Sequence, residues 1–248
     1  MDARARLCGS VVLLYHRVGS PFVRSVVAGQ YVLPSLFRRQ LRAMIASGYL
    51  PVTLEAAVDA ATAERRFAVT FDDGYASFAR RALPVLAEMG VPATVFVVVG
   101  AIGGTNKWDQ LAGDRVEPMM SKQEILDVSA AGVEVGSHTL SHPRLTQLSQ
   151  RALEREVRDS KAVLEDLLGR VVTSFSYPYG DWDERTRDAV ASAGYRLAVA
   201  TTRGVIRPSV DKLAIPRVNV RWNAIGPVLL RKVRMACRAA EVPLRAHP

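Results

Sequence analysis

Short apolar runs recur along the chain and alternate with segments of helical periodicity. The runs are nearly continuous in Val, Ile, Phe and Ala, which is typical of strands that are covered on both faces. Seven of them are predicted to be strands: Val11–Tyr15, Phe67–Phe71, Ala93–Val99, Val133–Gly136, Thr173–Tyr177, Leu197–Thr201 and Ala214–Val218.

The intervening segments place apolar residues three and four positions apart, which predicts amphipathic helices. The predicted helices are Leu36–Ser47, Tyr75–Met89, Ser121–Ala131, Ser149–Leu168, Glu184–Ala193 and about Ala224–Ala240. Ser149 is the expected N-cap of its helix and Gly169 lies just past the end. The segment from Tyr75 is expected to break at Pro84 and to stop at Gly90.

Alternation of strands and helices over this length predicts an α/β fold with a parallel sheet. About seven strands within 248 residues suit a closed (β/α) barrel better than a doubly wound sheet. We therefore predict one domain over residues 1–248, with its core at about 11–220 and a basic C-terminal helix at about 224–240. No strand is followed by a glycine-rich nucleotide-binding motif, which disfavours nucleotide-binding folds.

The net charge is +9 and the sequence pI is about 10.0, a balance that favours anionic partners. No nucleic-acid-binding motif is present, so nucleic acid is not an expected partner. The last predicted helix carries Arg231, Lys232, Arg234 and Arg238. Those side chains could contact an anionic membrane surface, although a solvated helix face is the more ordinary interpretation.

The start of the chain has some features of a secretory signal. Arg4 and Arg6 precede the apolar run Val11–Leu14, which is too short for a secretory signal and is better explained as a strand. No stretch is long enough to span a bilayer. These features predict a cytoplasmic protein, with peripheral attachment to the inner membrane surface as an alternative.

Two adjacent carboxylates, Asp72 and Asp73, follow a wholly apolar predicted strand. Neighbouring side chains on a strand point in different directions, so one could bind a metal while the other holds a proton. The plainer alternative is that Asp73 caps a helix and Gly74 makes the turn.

His138 and His142 lie four residues apart directly after another predicted strand. One tight turn would bring both imidazole rings together, and imidazole is a common zinc ligand. With Asp73 they form a set of two histidines and one carboxylate that leaves open positions for water and substrate. Such a site suits metal-assisted hydrolysis.

Aromatic residues near other strand ends are candidates for sugar binding. Tyr177, Pro178 and Tyr179 lie at the end of one strand, where a backbone N–H could also stabilise an oxyanion, although a plain turn is the commoner explanation. Trp108 lies in a long connection, where a sugar platform and a peripheral core position are equally supported. Tyr75 is also predicted to bind substrate.

At these positions the sequence resembles the polysaccharide deacetylase family, the NodB-homology carbohydrate esterases. Thr-Phe-Asp-Asp-Gly-Tyr at 70–75, Ser-His-Thr-Leu-Ser-His-Pro at 137–143 and, less strictly, Ser-Tyr-Pro-Tyr-Gly at 176–180 resemble its motifs. The resemblance implies a distorted (β/α) barrel with fewer than eight complete units. It implies one divalent ion, expected to be zinc, on Asp73, His138 and His142. It also implies Asp72 as general base and the Tyr179 N–H as oxyanion donor.

Two departures from the family pattern stand out. Many members carry an arginine near the position of Ser176 that orients the base, and here that arginine is absent. Many also carry a catalytic histidine in a late motif, where this chain has Ile215–Val220 without one. The N-terminal Leu-Leu-Tyr-His-Arg-Val resembles instead the branch of exopolysaccharide deacetylases. That likeness assigns the role of general acid to His16; the alternative is a structural hydrogen bond beneath Tyr15.

These residues predict a metal-dependent hydrolase, and the resemblance implies that it removes an acetyl group from an N-acetylhexosamine unit and releases acetate. The expected substrate is a glycan or glycan precursor, with a lipid-linked sugar as one option. The alternatives are an inactive glycan-binding barrel and a deacylase for an O-acetyl or formyl group. Oligomeric state is not predicted.

Overall fold

The computed structural model describes residues 10–21, 25, 27–59, 64–111 and 113–239. Arg4, Arg6 and the last predicted helical residue, Ala240, lie outside these ranges. Among the described residues, no helix combines the length and the apolar character needed to cross a membrane.

A closed barrel of seven parallel strands forms the centre of the molecule. The first strand closes the barrel, because its Leu14 pairs with Thr70 on one side and with Asn219 on the other. The strands in chain order are β1 Val11–Tyr15, β2 Arg17–Val18, β3 Tyr31–Val32, β4 Leu50–Pro51, β5 Arg66–Phe71, β6 Ala93–Val97, β7 Glu134–Ser137, β8 Ser174–Ser176, β9 Leu197–Arg203 and β10 Ile215–Asn219. The barrel comprises β1 and β5 to β10.

The seven predicted strands are the seven barrel strands, and the predicted barrel is confirmed. Differences are confined to strand ends: β6 ends two residues earlier than predicted and β9 continues two residues further, to Arg203. Three short strands were not predicted. β2 and β3 form a separate parallel pair, and β4 adds to the start of β5. A two-residue strand is too short to show the hydrophobic pattern by which strands are predicted from sequence.

Helices cover the outside of the barrel: α1 Pro34–Ala46, α2 Leu54–Val58, α3 Leu83–Met89, α4 Lys107–Leu111, α5 Lys122–Ala130, α6 Gln150–Leu168, α7 Glu184–Ser192 and α8 Gly226–Ala239. Ser149 caps α6 by accepting from the Ala152 N–H, and Gly169 ends it with φ of 63°, as predicted. Short α2 and α4 were not predicted.

The expected break at Pro84 was wrong. A π-helical stretch, Phe78–Ala82, leads directly into α3, and Pro84 lies in the first turn of that helix. The first turn tolerates proline because its N–H would have no intrahelical partner. The π-helical stretch shifts the register so that Pro84 occupies that turn. Gly90 ends α3 in the left-handed conformation, as predicted.

The parallel register brings the carboxyl ends of the strands to one rim of the barrel. Tyr15 at the end of β1 pairs with Phe71 at the end of β5, and Ser137 at the end of β7 pairs with Phe175 of β8. Active sites of β/α barrels assemble at this rim, so the residues that follow these strands are the candidates for the site.

Candidate active site

Asp73, His138 and His142 form a buried three-residue cluster at the rim. The Asp73 Oδ1 lies 3.3 Å from the His138 Nε2 and 3.4 Å from the His142 Nε2. Their candidate ligand atoms all lie within 4.8 Å of one another. Two imidazoles and one carboxylate at this spacing fit a divalent ion such as zinc.

The backbone at the cluster is left-handed at residues other than glycine. Asp73, Thr139, His142 and Tyr179 have φ between 60° and 75°, and they are the four non-glycine residues with positive φ in the described part of the chain. This conformation is unfavourable for residues with a Cβ and is retained where the surroundings enforce it. The strained positions therefore coincide with the predicted site.

Glu156 of α6 holds the turn between the two histidines. Its Oε2 accepts from the N–H groups of Leu140 and Ser141, each at 2.9 Å, and its Oε1 accepts from the Ser141 hydroxyl at 2.6 Å. Within the turn, the His142 N–H donates to the Thr139 hydroxyl at 3.0 Å. Sequence reasoning missed Glu156 because it lies on a helix far along the chain from the turn that it stabilises.

The ring of His138 is oriented from behind. Its Nδ1 lies 2.7 Å from the Ser176 carbonyl oxygen, which requires a proton on Nδ1 and leaves Nε2 available as a ligand. Burial lowers the pKa of His142 to about 3, so that imidazole is neutral near pH 7. Burial alone would raise the pKa of Asp73, but the His138 hydrogen bond and nearby histidines hold it well below its usual value. These states suit metal ligands.

Asp72 lies beside this cluster and is bound by Arg217 of β10. The two guanidinium nitrogens donate to the two carboxylate oxygens at 2.8 and 2.7 Å, and Arg217 is 1% exposed. Burial would raise the pKa of Asp72, but the charge and hydrogen bonds of Arg217 lower it, so the carboxylate is ionised.

Arg217 also donates to the Ser176 hydroxyl at 3.2 Å. Its guanidinium therefore lies next to Ser176, the position near which many members of the family carry an arginine. The arginine function is therefore supplied from another strand. A single arginine among the apolar residues Ile215, Pro216 and Val218 of β10 was the signal that sequence reasoning passed over.

His16 follows β1 directly and is half-buried at the same rim. Burial lowers its pKa, while the charges of Asp73 and Asp72 oppose that shift, which places His16 within electrostatic reach of both carboxylates. Its Nδ1 is buried and has no hydrogen-bond partner within the described ranges. The neighbouring Tyr15 packs against Phe37 and Phe71 in the core, so Tyr15 and His16 belong to different environments.

Two aromatic rings flank His142. Trp108 of α4 stacks on it with ring centroids 4.5 Å apart, and the half-exposed Tyr179 lies 4.7 Å away on a tilted plane. Arg144 covers the Tyr179 ring at 4.4 Å and also pairs with Asp181. The structure thus brings Trp108 and Tyr179 to the candidate metal cluster.

The other predicted substrate-binding residues are in the scaffold. Tyr75 is 1% exposed and donates to Asp109, and Tyr177 is fully buried and donates to the Leu213 carbonyl oxygen. Pro178 is also buried. Because these three residues are buried, the structure does not support the prediction that they contact a sugar directly. They instead pack behind the site.

Comparison with known proteins gives the family. The model of the family described as polysaccharide deacetylase matches residues 59–198, more than half of the chain. The chain belongs to the polysaccharide deacetylase family. The match includes Asp72, Asp73, His138 and His142 and ends before Arg217, so the orienting arginine lies outside the matched segment.

Individual relatives extend this likeness. YxkH of Bacillus subtilis (strain 168), described as a putative polysaccharide deacetylase, is 26% identical over 87% of this chain and 72% of its own length. A chitooligosaccharide deacetylase of Rhizobium leguminosarum bv. trifolii is 29% identical over 62% of this chain and 66% of its own. The structure of IcaB from Ammonifex degensii is 28% identical, with a TM-score of 0.78 over 91% of this chain and 97% of that one.

Proposed function

We propose that this protein is a metal-dependent N-deacetylase that hydrolyses the acetamide of an N-acetylhexosamine unit and releases acetate. The observation that carries the proposal is a complete Asp-His-His ligand set beside a separate carboxylate, Asp72, that Arg217 keeps ionised. Ligand and base are thus two different groups, as hydrolysis requires. An inactive glycan-binding barrel would not need to retain both.

Asp73, His138 and His142 would hold the ion. When bound, a divalent ion supplies Lewis acidity, which polarises the amide carbonyl and lowers the pKa of water. Zinc fits this donor set best because imidazole and carboxylate are among its usual ligands. Full chelation should therefore abolish turnover.

Asp72 would accept the proton that the attacking water loses as its oxygen adds to the carbonyl carbon. The backbone N–H of Tyr179 would donate to the oxygen on which negative charge develops. His16 would then protonate the amine nitrogen as the carbon–nitrogen bond breaks, because an amide anion is a very poor leaving group. This order returns a free amino sugar and acetate.

An N-acetylated glycan is favoured over an ester or formamide by the R. leguminosarum relative, which is named for action on chitooligosaccharide. This chain spans 66% of that relative, so the glycan itself is part of the proposal. The flanking rings of Trp108 and Tyr179 would stack on the sugar. A lipid-linked precursor is the form of substrate that would make membrane contact useful.

The test is acetate release from N-acetylglucosamine oligomers, an O-acetylated sugar and an N-formylated sugar, with the zinc-loaded protein and with Asp72→Asn as the control. We expect the zinc-loaded protein to act best on the N-acetyl substrate. Faster release of acid from the O-acetylated or the N-formylated sugar would show that the protein removes that acyl group instead of an N-acetyl group. Binding of oligomers without release of any acid would support the glycan-binding alternative.

We also propose that α8 contacts an anionic membrane surface, with the protein at the inner face of the cytoplasmic membrane. One exposed stripe of α8 presents Val228, Arg231, Arg234, Met235 and Arg238. None of the ion pairs among the described residues uses these arginines, and residues 212–240 contain seven basic and no acidic side chains. Cations around apolar side chains are typical of helices that lie on anionic lipid.

A further inference from the structure

Arg17 is a buried cation that the proposed chemistry does not use. It follows His16 in the chain, is 2% exposed, and donates to Gln30, to the Tyr75 hydroxyl and to the Asp109 carboxylate. Its guanidinium also lies over the Tyr75 ring at 4.3 Å. A buried charge with this many partners is held in one position.

Asp109 gathers the other side of this network. Its Oδ2 accepts from Arg17, from the Tyr75 hydroxyl at 3.1 Å and from the Asn106 amide at 2.6 Å. The Asn106 side chain in turn accepts from the Glu117 N–H, which closes the 104–119 loop on itself. The loop that carries α4 is therefore fixed to the barrel through Asp109.

Further bonds join the same loop to the segment that follows β2. Asp114 accepts from the Ser25 hydroxyl at 2.7 Å and the Val27 N–H at 3.1 Å, and the Tyr31 hydroxyl donates to Glu117 at 3.0 Å. These described residues, with Arg17, Asn106 and Asp109, form one hydrogen-bonded wall beside Trp108. Within that wall, the Arg17–Asp109 ion pair joins the residue that follows His16 to the residue that follows Trp108.

Trp108 precedes Asp109 in α4, and its indole stacks on His142 at 4.5 Å. The position of the indole is set by the short helix, and the helix is held by Asp109. One face of the indole covers the imidazole of His142, and the ring is only partly buried, which leaves its other face for further contacts.

We propose that Arg17 and Asp109 are positioning residues whose ion pair, in which Arg17 is buried and Asp109 partly buried, holds Trp108 against His142 and couples that wall to the strand end that presents His16. The role in turnover rests on the proposed deacetylase function, whereas the placement of Trp108 does not. The pair acts on substrate through Trp108 and contacts neither substrate nor metal itself.

The placement is tested in protein whose only tryptophan is Trp108, made by Trp182→Phe and Trp222→Phe. Acrylamide quenching of the Trp108 fluorescence is measured with and without Asp109→Asn. Release of the indole from His142 exposes its second face, so we expect the quenching constant to rise about twofold or more. Glu88→Gln, which removes the partner of Arg38 in an exposed ion pair, is the matched control and should change nothing.

A variant that leaves Arg17 buried without its carboxylate could fail to fold. The double variant Arg17→Met/Asp109→Leu removes both charges, so no unpaired charge is left buried, and it still lacks the ion pair. It should fold and give the same rise in quenching. Unchanged quenching in a folded double variant would overturn the proposal.

Turnover supplies a second readout through a double-mutant cycle. Asp109→Asn should lower kcat/KM by about tenfold to a hundredfold, since small displacements in an active site have effects of that size. If Asp109 acts through Trp108, then adding Asp109→Asn to Trp108→Ala should cause little further loss. Additive losses would assign Asp109 a general structural role. Failure to release acetate at all would contradict the proposed function and leave the fluorescence result to decide the placement.

Discussion

Arg217 binds Asp72 through both carboxylate oxygens, at 2.8 and 2.7 Å, although 145 residues separate them in the chain. The pair joins β10 to the residue that follows β5, and both side chains are buried. It is the geometry in which arginine binds a carboxylate most strongly and most directionally. The consequence is a base that is charged and fixed in direction before substrate arrives.

Removing the guanidinium should move the acid limb of the kcat/KM profile to higher pH. In the native protein Arg217 outweighs burial and keeps the pKa of Asp72 below its usual value. In Arg217→Met only the charges of His138 and His16 still oppose burial, so the pKa of Asp72 rises and the base becomes protonated at higher pH. We expect an upward shift of at least about one pH unit, measured from initial rates between about pH 4 and about pH 9.

Arg217→Lys is the control for that shift. Lysine restores the charge without the planar fork, so its acid limb should lie between those of the native protein and Arg217→Met. An acid limb unchanged in both variants would mean that Asp72 is not the group that titrates there.

The same ion pair should make stability fall in acid. Because the pKa of Asp72 is lower in the folded protein, its contribution is present above the unfolded value, about 3.9, and is lost as pH falls through the folded value. Denaturant midpoints measured across this range should decline less steeply in Arg217→Met than in the native protein. A parallel decline would show that other carboxylates dominate acid unfolding.

Asp72→Asn should retain metal and lose turnover. The amide keeps the shape of the side chain but cannot accept the proton, and a general base contributes about 10²–10⁴-fold in rate. Bound zinc is measured by elemental analysis and kcat by acetate release. Near-normal turnover in a variant with one metal per chain would reduce Asp72 to a structural role.

His142→Ala should release the metal without unfolding the barrel. The ligand cluster lies at the rim, whereas the hydrophobic core is formed by the strands and the helices around them. We expect loss of stoichiometric zinc and of activity, with a far-ultraviolet circular dichroism spectrum like that of the native protein. Full activity after thorough chelation would contradict metal dependence.

The sequence predicted what local patterns control. Continuous apolar runs marked the barrel strands, and Ser149 with Gly169 marked both ends of α6. The pairing of Asp73 with His138 and His142 followed from motifs at strand ends, because parallel strands bring those ends together.

Long-range and buried features were not accessible in the same way. Arg217 reaches Asp72 across the barrel, and no local pattern indicates which distant carboxylate a lone strand arginine will meet. Aromatic residues near motifs look alike in sequence, so Tyr75 and Tyr177, which are buried, could not be separated from Trp108 and Tyr179, which flank His142.

Binding to anionic vesicles should depend on the exposed stripe of α8. Each basic residue near an anionic surface contributes about 1 kcal/mol, so Arg231→Gln/Arg234→Gln/Arg238→Gln should weaken co-sedimentation strongly at low salt. The matched control is Arg151→Gln/Arg155→Gln/Arg158→Gln, which removes three exposed arginines from α6. Equal weakening by both triple variants would indicate net charge alone, and no binding by the native protein would end the proposal.

His16→Ala should damage hydrolysis of an amide more than hydrolysis of an activated ester. The amine that leaves an amide needs a proton, whereas the leaving group of an activated ester departs as a stable anion. His16 lies within electrostatic reach of Asp72 and Asp73, and histidine is the commonest group for this task near neutral pH. We expect a loss of about 10²-fold or more on the amide and a much smaller loss on the ester, with His16→Gln behaving like His16→Ala. Equal losses on both substrates would instead assign His16 to positioning, because a displaced strand end would impair every substrate alike.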